Sequence, residues 1–429
     1  MKYHAIDSDL FVNNRSRLKD KLKPNSAVVV LSNDILPTNG DGTLPFKQNS
    51  NLFYLSGIDQ EETVLLMAPD HPNEKMREIL FLLETSDEIA IWEGHKLTKD
   101  EGKKNSGIKN IQWKGDFDKM LSTVLAEVDH IYLATNEHIR NSSKLQGAND
   151  RFIKWCKEHF PLHEYERLAP DIYDLRMVKA DYEVELMEHA CHITEKGFRR
   201  VLESTAPGVW EYELEAEYIH EFLVNRSRGF AYSPIIAGGG NACVLHYLDN
   251  NQQLKDGDLL LMDVGAEYAN YNADMTRTIP VNGRFSKRQR QVYDAVLRVK
   301  NAATEMLVTG NTIPEYHKAV GKVMESELVE LGLLDKTDIK NQSRDMPAYK
   351  KYFMHGTSHH LGLDVHDVGS IYAPFKTGMV LTVEPGIYIR EEGLGIRLED
   401  NILIIEKGHK NLMRNIPIHA DEIEDLMNK

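Results

Sequence analysis

Short apolar runs alternate with amphipathic stretches through about the first 165 residues of the chain. The apolar runs have the length and the Val, Ile and Leu content of buried strands, and they lie at residues 27–31, 63–67 and 79–83. Helical spacing is found near residues 117–128 and 149–159, whereas the charged run at 99–104 predicts a solvated loop. The pattern predicts an α/β domain in this part of the chain.

After a junction at residues 168–171 the pattern becomes strongly helical. Apolar residues keep to one face of a helix that begins near Asp181 and ends before Pro207, and a second helix follows around residues 214–222. In residues 258–281 the apolar residues no longer follow helical spacing. Their pattern predicts two strands around a turn.

The same order of elements recurs further along the chain. Ser286 with Gln289 forms a capping box for one helix, Thr312 with Glu315 forms a box for the next, and residues 379–406 predict a second strand pair. Any protein of mixed helices and strands shows some such order, but here acidic residues fall at equivalent places in both strand pairs. This match favours an internal duplication.

Length and pattern together predict two domains, because 429 residues exceed one ordinary core. We place a smaller α/β domain at residues 1–168 and a larger domain, built of the duplicated helix-helix-hairpin unit, at 169–429. The predicted fold class is therefore α+β.

The composition narrows the function classes. A formal net charge of -15 argues against a general nucleic-acid or anionic-membrane binder, since both need a basic surface. The three cysteines are far apart and lack C-x-x-C spacing, which fits a reducing compartment better than a disulfide framework or a zinc ribbon. The first residues lack an apolar signal segment, and no window approaches about 18 apolar residues. We expect a cytoplasmic protein.

Each predicted strand pair carries two carboxylates. The midpoint between Asp263 and Asp274 falls in the first predicted turn, and the midpoint between Glu384 and Glu399 falls in the second. Each pair should therefore face across neighbouring strands, with Cβ atoms about 4.5–5.5 Å apart, unless a bulge shifts the register. Bare carboxylates so close repel each other, and a divalent cation removes the repulsion.

The sequence therefore predicts a dinuclear metal centre. Four carboxylates and one imidazole can hold two cations about 3.5–4 Å apart with a bridging water. Oxygen-rich ligation favours manganese, cobalt or magnesium over a thiolate-type zinc site. Each acidic residue taken singly would be interpreted as solvated surface charge, and only their joint placement in two hairpins favours the metal site.

Four histidines fall within twelve residues between the two carboxylate pairs, at His355, His359, His360 and His366. His355 and His359 have the i, i+4 spacing of a helical zinc pair. However, Gly356 stands where that motif carries its glutamate, so a thermolysin-type site is not expected.

These motifs are similar to those of a known family. The resemblance rests on Asp263-Val264-Gly265-Ala266, His355-Gly356-Thr357-Ser358-His359, Leu361-Gly362-Leu363-Asp364-Val365-His366-Asp367, Glu384-Pro385-Gly386 and Gly395-Ile396-Arg397-Leu398-Glu399-Asp400. With them, about 250 C-terminal residues resemble the pita-bread metallopeptidases, family M24, which include methionine aminopeptidase, prolidase and Xaa-Pro aminopeptidase. Residues 48–57, 282–286 and 353–359 are more similar to the aminopeptidase P branch, which carries a creatinase-like N-terminal domain.

The resemblance implies a ligand set. Asp263 would chelate one metal, His359 and Glu384 the other, and Asp274 and Glu399 would bridge both. It implies two divalent ions, with manganese as the first expectation and cobalt or zinc as alternatives. Two positions depart from the family pattern: His360 replaces a frequent aromatic at the pocket rim, and Ala180 replaces a helix-capping serine.

The same resemblance implies a substrate and a mechanism. A hydroxide bridging the metals would attack the carbonyl before a proline in the second position of a peptide, with Glu384 as proton shuttle. His366 would bind the substrate and stabilise the developing oxyanion, with His355 beside it. Four further residues resemble the family's substrate-binding residues: His246 and Arg397 at the proline, and Tyr232 and Leu245 at the first side chain.

Alternatives stay open. Arg397 could merely pair with a neighbouring carboxylate, and Tyr232 could be core. Prolidase, which cuts only Xaa-Pro dipeptides, is an alternative activity. A creatinase-like amidinohydrolase or a metal-free binding protein would lack the ligand set, and all five ligands are present here. The N-terminal domains of relatives make subunit contacts, so we expect a homodimer or homotetramer with no nucleic-acid or membrane partner.

Overall fold

A computed structural model describes residues 3–343 and 345–429 of the chain. It divides into two compact units, residues 3–176 and 177–429. The sequence pattern placed the boundary at 168/169, within the start of what proves to be a further helix, α7 (Ala169–Met177). Tyr173 and Arg176 of this helix hydrogen-bond to Glu137 and Asn51, which places most of α7 in the first unit.

The first unit is built on one mixed sheet of six strands in the order β4-β3-β2-β1-β5-β6. Its strands are β1 (Ser26–Leu31), β2 (Val64–Met67), β3 (Glu78–Leu82), β4 (Asn110–Trp113), β5 (His130–Leu133) and β6 (Glu164–Arg167). β2 runs antiparallel to both its neighbours, and the other three pairings are parallel. The three apolar runs of the sequence are confirmed as β1, β2 and β3.

Helices accompany the sheet along the chain. They are α1 (Ser8–Lys19), α2 (Ser50–Ser56), α3 (Asp87–Glu93), α4 (Lys99–Ser106), α5 (Phe117–Leu125) and α6 (Ala148–His159). Apolar residues of α5 and α6 share one buried core with alternate residues of the strands, including Val29, Leu66 and Phe81. This alternation is what a sheet with covered faces requires.

The prediction of a loop at residues 99–104 is wrong, because α4 forms there. Thr98 and Glu101 make a capping box at its N-terminus, which offsets the low helix propensity of the run. Gly102 lies against Leu82 of the sheet, so the helix has a buried side despite its three lysines and two acidic residues.

The second unit contains two similar halves. The first half has helices α8 (Asp181–Ser204) and α9 (Glu211–Val224), followed by strands β7 (Ile235–Gly238), β8 (Leu259–Val264), β9 (Glu267–Tyr268), β10 (Tyr271–Asn272) and β11 (Met275–Pro280). Strands β11, β8 and β7 form one sheet, and β9 and β10 extend the β8–β11 hairpin to its turn.

The second half repeats the scheme. It has helices α10 (Lys287–Glu305), α11 (Ile313–Glu330) and α12 (Lys336–Asn341), then strands β12 (Val380–Val383), β13 (Gly386–Ile389), β14 (Leu394–Arg397), β15 (Asp400–Ile405) and β16 (Gly408–Asn411), and finally helix α13 (Ala420–Met427). The predicted capping boxes at Ser286 and Thr312 are both confirmed. The α+β duplication predicted from the sequence is therefore present.

The second hairpin has the predicted register. Val383 pairs with Asp400 and Gly386 pairs with Arg397, which leaves Glu384 opposite Glu399. A four-residue turn closes the hairpin, and its last residue is a glycine with φ of 58°.

The first hairpin differs from its predicted register. Asp263 pairs with Thr276, and the continuing ladder leaves Asp274 opposite Gly265. The turn lies one residue later than predicted because Ala269 and Asn270 both adopt positive φ, as a two-residue type I′ turn requires. The side chains of the two aspartates still share a face, because the shift is an even number of positions.

Among residues 3–343 and 345–429, no helix combines the length and the apolar character needed to cross a membrane. The three cysteines are free and buried.

Gly265 provides a test of the first hairpin. A Cβ at this position would lie 1.8 Å from the carbonyl oxygen of Ala273, on the strand that carries Asp274. We expect Gly265→Ala to destabilise the second unit by more than about 2 kcal/mol, because the obstacle is backbone. Urea unfolding measures this. Gly240→Ala is the matched control, since its Cβ would meet only Gly393 Cα at 4.0 Å. Equal losses in both variants would contradict the explanation.

Candidate metal centre

The two hairpins and the segment between them bring the predicted ligands to one place. Asp274, His359 and Glu399 each offer one ligand atom, and the three atoms lie within 4.8 Å of one another. The Nε2 atom of His359 is 3.5 Å from a carboxylate oxygen of Asp274 and 3.6 Å from one of Glu384. One donor thus comes from the first half, two from the second, and the histidine from the segment between them.

The fifth predicted ligand, Asp263, is joined to Asp274 by a tyrosine. The hydroxyl of Tyr232 lies 2.6 Å from Oδ1 of Asp263 and 2.6 Å from Oδ1 of Asp274. Arg397 Nη2 donates to the other oxygen of Asp263 at 2.5 Å. These contacts fix the rotamer of Asp263 before any ion binds.

The imidazole of His359 is oriented in the way that metal-binding histidines usually are. Its Nδ1 lies 2.9 Å from the carbonyl oxygen of His360, so a proton there leaves Nε2 bare toward the carboxylates. Its backbone N–H donates to Thr382 Oγ1 at 3.1 Å, and that hydroxyl faces Glu384 at 3.4 Å. The segment around His355 and His359 is not helical, so these two histidines do not form a helical i, i+4 pair.

Glu399 is held from the first hairpin. Thr276 Oγ1 donates to Glu399 Oε2 at 2.7 Å and accepts from Arg397 Nε at 3.0 Å. The backbone N–H of Glu399 donates to Thr276 O at 3.0 Å. One threonine of β11 therefore links a ligand of the second half to the hairpin that carries two ligands of the first half.

The electrostatics of the site are those of crowded, buried carboxylates. Burial, with the neighbouring carboxylates, raises the pKa of Glu384 to about 7 and the pKa of Glu399 well above its usual range. Burial also raises the pKa of Asp263, although Arg397 opposes the shift. For His359, burial alone would lower the pKa, but Asp274 and Glu384 outweigh it and the net pKa is raised.

A divalent cation would relieve all of these shifts at once, because its charge favours every ionised carboxylate around it. The donors are oxygens with one imidazole nitrogen, which suits hard or borderline divalent ions. The residues present therefore fit a metal centre.

The remaining predicted residues lie at different distances from this centre. His355 Nδ1 is 3.6 Å from Glu384, and its Nε2 lies 2.8 Å from the hydroxyl of Tyr388. Burial, with the charge of Arg397, lowers the pKa of His355 to about 3, so this ring is neutral. His366 is exposed, and its ring centroid is 4.4 Å from that of His359 in a T-shaped contact.

The predicted substrate-binding residues differ in how much their observed contacts say about their roles. Leu245 is half-buried and packs on an apolar cluster that includes Tyr388. His246 is exposed, and its role stays a prediction. Arg397 pairs with the carboxylate of Asp263 and donates to Tyr388 at 2.8 Å, and its role at the proline stays a prediction. Tyr232 faces the carboxylates with its hydroxyl, and its part in a substrate wall stays a prediction.

Sequence reasoning missed the residues that join the hairpins behind the site. Asn401 exchanges two hydrogen bonds with the backbone of Asp274, at 2.6 and 3.1 Å. The buried guanidinium of Arg277 donates to Glu399 O at 2.6 Å and to Asp400 at 2.7 Å, and Asp400 also pairs with Lys300. Among these residues only Asp400 had a sequence signal, because it is the last residue of the motif at residues 395–400.

Comparison with known proteins agrees with the geometry. The model of metallopeptidase family M24 matches residues 185–406, and that of the aminopeptidase P N-terminal domain matches residues 11–132. The Xaa-Pro aminopeptidase of Haemophilus influenzae is 36% identical over 439 residues, covering 99% of this chain and 98% of the relative. That of Escherichia coli K12 is 34% identical over 437 residues, covering 98% of each.

A solved structure extends the likeness to the fold. Zinc-substituted Escherichia coli aminopeptidase P in complex with product superposes with a TM-score of 0.88 at 32% identity, covering 99% of each chain. Fold, donor set and relatives define the class of protein as a metal-dependent peptidase. The chain belongs to metallopeptidase family M24.

Cation binding should release protons. Because the pKa of Glu384 is raised to about 7, this carboxyl is partly protonated near neutral pH and must ionise to bind a metal, and the raised pKa values of Glu399 and Asp263 act in the same direction. We expect the apparent affinity for Mn²⁺ to rise with pH between about pH 6 and 8. Titration calorimetry in buffers of different ionisation enthalpy measures the release. Glu399→Ala should weaken binding, whereas Glu391→Ala, in the exposed turn, should not. A buffer-independent enthalpy would contradict the prediction.

Proposed function

We propose that the protein is an Xaa-Pro aminopeptidase, which releases the first residue of peptides that have proline in second position. The observation that carries the proposal is the convergence of Asp263, Asp274, His359, Glu384 and Glu399 from two hairpins and an intervening segment. Full-length similarity to Xaa-Pro aminopeptidases supports this specificity over that of a prolidase.

The five residues would hold two divalent ions, with Asp263 on one side, His359 and Glu384 on the other, and Asp274 and Glu399 between them. When bound, such ions polarise a carbonyl and lower the pKa of a coordinated water. Tyr232 and Arg397 keep Asp263 in place, and Thr276 keeps Glu399 in place.

Glu384 is suited to carry a proton between water and the departing nitrogen. Its carboxylate lies within the ligand cluster, 3.6 Å from His359 Nε2 and 3.6 Å from His355 Nδ1, so it adjoins both the proposed ions and the substrate site. An Xaa-Pro bond is a tertiary amide, so its nitrogen brings no proton and must receive one on leaving. A carboxyl that accepts a proton early and donates it late meets this need.

His366 is suited to meet the substrate. Its ring is exposed and stands against His359, so a peptide carbonyl near the carboxylate cluster would come within its reach. A hydrogen bond from this ring to the carbonyl oxygen grows stronger as negative charge develops there. Leu245, His246 and His355 would complete the walls of the substrate site.

Finer features also belong to the proposal. We infer manganese as the working metal ahead of cobalt or zinc, two ions per chain, a homodimer or homotetramer, and a cytoplasmic location. Elemental analysis of protein purified without chelator, together with light scattering, tests the ion count and the assembly. One ion per chain or a monomer would require revision of those features without altering the specificity.

Peptide length separates the two candidate activities. An Xaa-Pro-Yaa tripeptide should be cleaved at least as well as the Xaa-Pro dipeptide, and an Xaa-Ala-Yaa peptide should be cleaved poorly. Chromatographic assay of the released first residue, with Mn²⁺ supplied, measures all three. Cleavage of the dipeptide alone would favour prolidase, and equal cleavage of the alanine peptide would remove the proline specificity.

Loss of the His366 imidazole should slow the reaction without loss of bound metal. We expect His366→Ala to lower kcat/KM for an Xaa-Pro-Yaa peptide by about 100-fold, as for the loss of one oxyanion donor. Metal content should be unchanged, because His366 is not a predicted ligand. His192→Ala, at an exposed position of α8, is the matched control and should keep full activity. An unaffected kcat/KM in His366→Ala would exclude the role.

A further inference from the structure

A buried ion pair lies beside the histidine segment of the second unit. Lys179 Nζ is 3.1 Å from Asp367 Oδ2, and each side chain is only 1% exposed. Charges buried so completely lose their hydration, and apolar residues of similar size often serve stability as well or better. The pair therefore needs an explanation other than stability.

Asp367 directly follows His366. Its backbone N–H donates to the carbonyl oxygen of His360 at 2.8 Å, and His360 itself bridges to Leu381. The backbone of the exposed His366 thus adjoins a fully buried anchor. The chain between Gly362 and His366 forms bends, without helix or strand, so it supplies no regular hydrogen bonding of its own.

Lys179 is itself fixed to the framework. Its backbone N–H donates to Gly378 O at 2.8 Å, and Val178 bridges to Met379, next to β12. The following residue, Ala180, is the N-cap of α8. The ammonium group therefore extends from a rigid junction of helix and strand.

The packing leaves the pair little freedom. A Cβ at Gly362 would lie 2.3 Å from Asp367 Oδ2 and 2.9 Å from Lys179 Cε, so glycine is needed where the segment passes the pair. The carbonyl oxygen of Gly362 accepts from both the backbone and the side chain of Asn272, each at 2.9 Å. Both ends of the segment from Gly362 to Asp367 are held.

We propose that Lys179 is a positioning residue for His366, acting through Asp367. The proposal rests on the proposed function, because it assigns the ion pair to the placement of a substrate-binding imidazole. Without the ammonium group, Asp367 would turn toward water and carry the adjoining residue with it. A displacement of about 1 Å in a group that contacts the reacting atoms can cost on the order of 100-fold in rate.

The first test is Lys179→Met. We expect kcat for an Xaa-Pro-Yaa peptide to fall by about 30-fold or more, with bound metal unchanged, because the metal ligands are anchored separately. Lys96→Met removes the lysine of a Lys–Glu pair in the first unit, and as the matched control it should keep full kcat. If Lys179→Met keeps full kcat, the proposal is overturned.

The double variant Lys179→Met with Asp367→Leu separates positioning from stability. Replacing both charges by apolar groups should return the melting temperature toward that of the unchanged protein. Under our proposal kcat stays low in this variant, since the charge pair that orients residue 367 is gone. Recovery of kcat along with the melting temperature would show a purely structural role and overturn the proposal.

Failure of the proposal for Lys179 can be distinguished from failure of the proposed Xaa-Pro aminopeptidase activity. If the unchanged protein fails to cleave any Xaa-Pro peptide with metal bound, the proposed function fails first. If Lys179→Met does not fold, the double variant decides alone. If neither variant folds, the pair is required for folding itself, and the assignment to His366 is overturned.

Discussion

Mutual repulsion among buried carboxylates is the constraint on which the second unit depends. Four acidic groups lie close together, burial and this crowding raise the pKa values of Asp263, Glu384 and Glu399, and the chain must hold the groups there through folding. It does so with hydrogen bonds that cross from one hairpin to the other, through Thr276 to Glu399 and through Asn401 to Asp274. Gly265 lets the backbone of the first hairpin approach closely beside the acidic pair, because a Cβ there would lie 1.8 Å from the carbonyl oxygen of Ala273.

Local chemistry made much of the fold predictable. Strand periodicity, capping boxes and the repeated order of elements identified both domains and the duplication. The register of the second hairpin followed from the midpoint of its two glutamates, because a four-residue turn is symmetric about it. The first hairpin was misjudged by one residue at the turn, since Ala269 adopts positive φ there beside Asn270, and alanine gives no signal of that conformation in the sequence.

The candidate site was predictable only to the level of its ligands. Motif spacing pointed to the acidic residues and histidines, but not to the contacts between them. Tyr232 bridging two aspartates, Arg397 pairing with Asp263 and the pair of Lys179 with Asp367 join residues 31 to 188 positions apart. Such contacts depend on how the halves pack, and residue type alone does not reveal them. The prediction of a loop at residues 99–104 was wrong for a related reason. Gly102 of α4 packs against Leu82 of β3, and the charged residues around it give no sign of that contact.

The split origin of the donors has a thermodynamic consequence. Each half supplies only part of the ligand set. A chain in which one half is unfolded therefore lacks a complete metal-binding site. Occupancy would then be coupled to docking of the two halves, and a bound cation would act as a latch on the whole duplicated domain. Removal of the metal by a chelator should therefore destabilise both halves together. With metal bound, the two repeated halves would unfold as one unit.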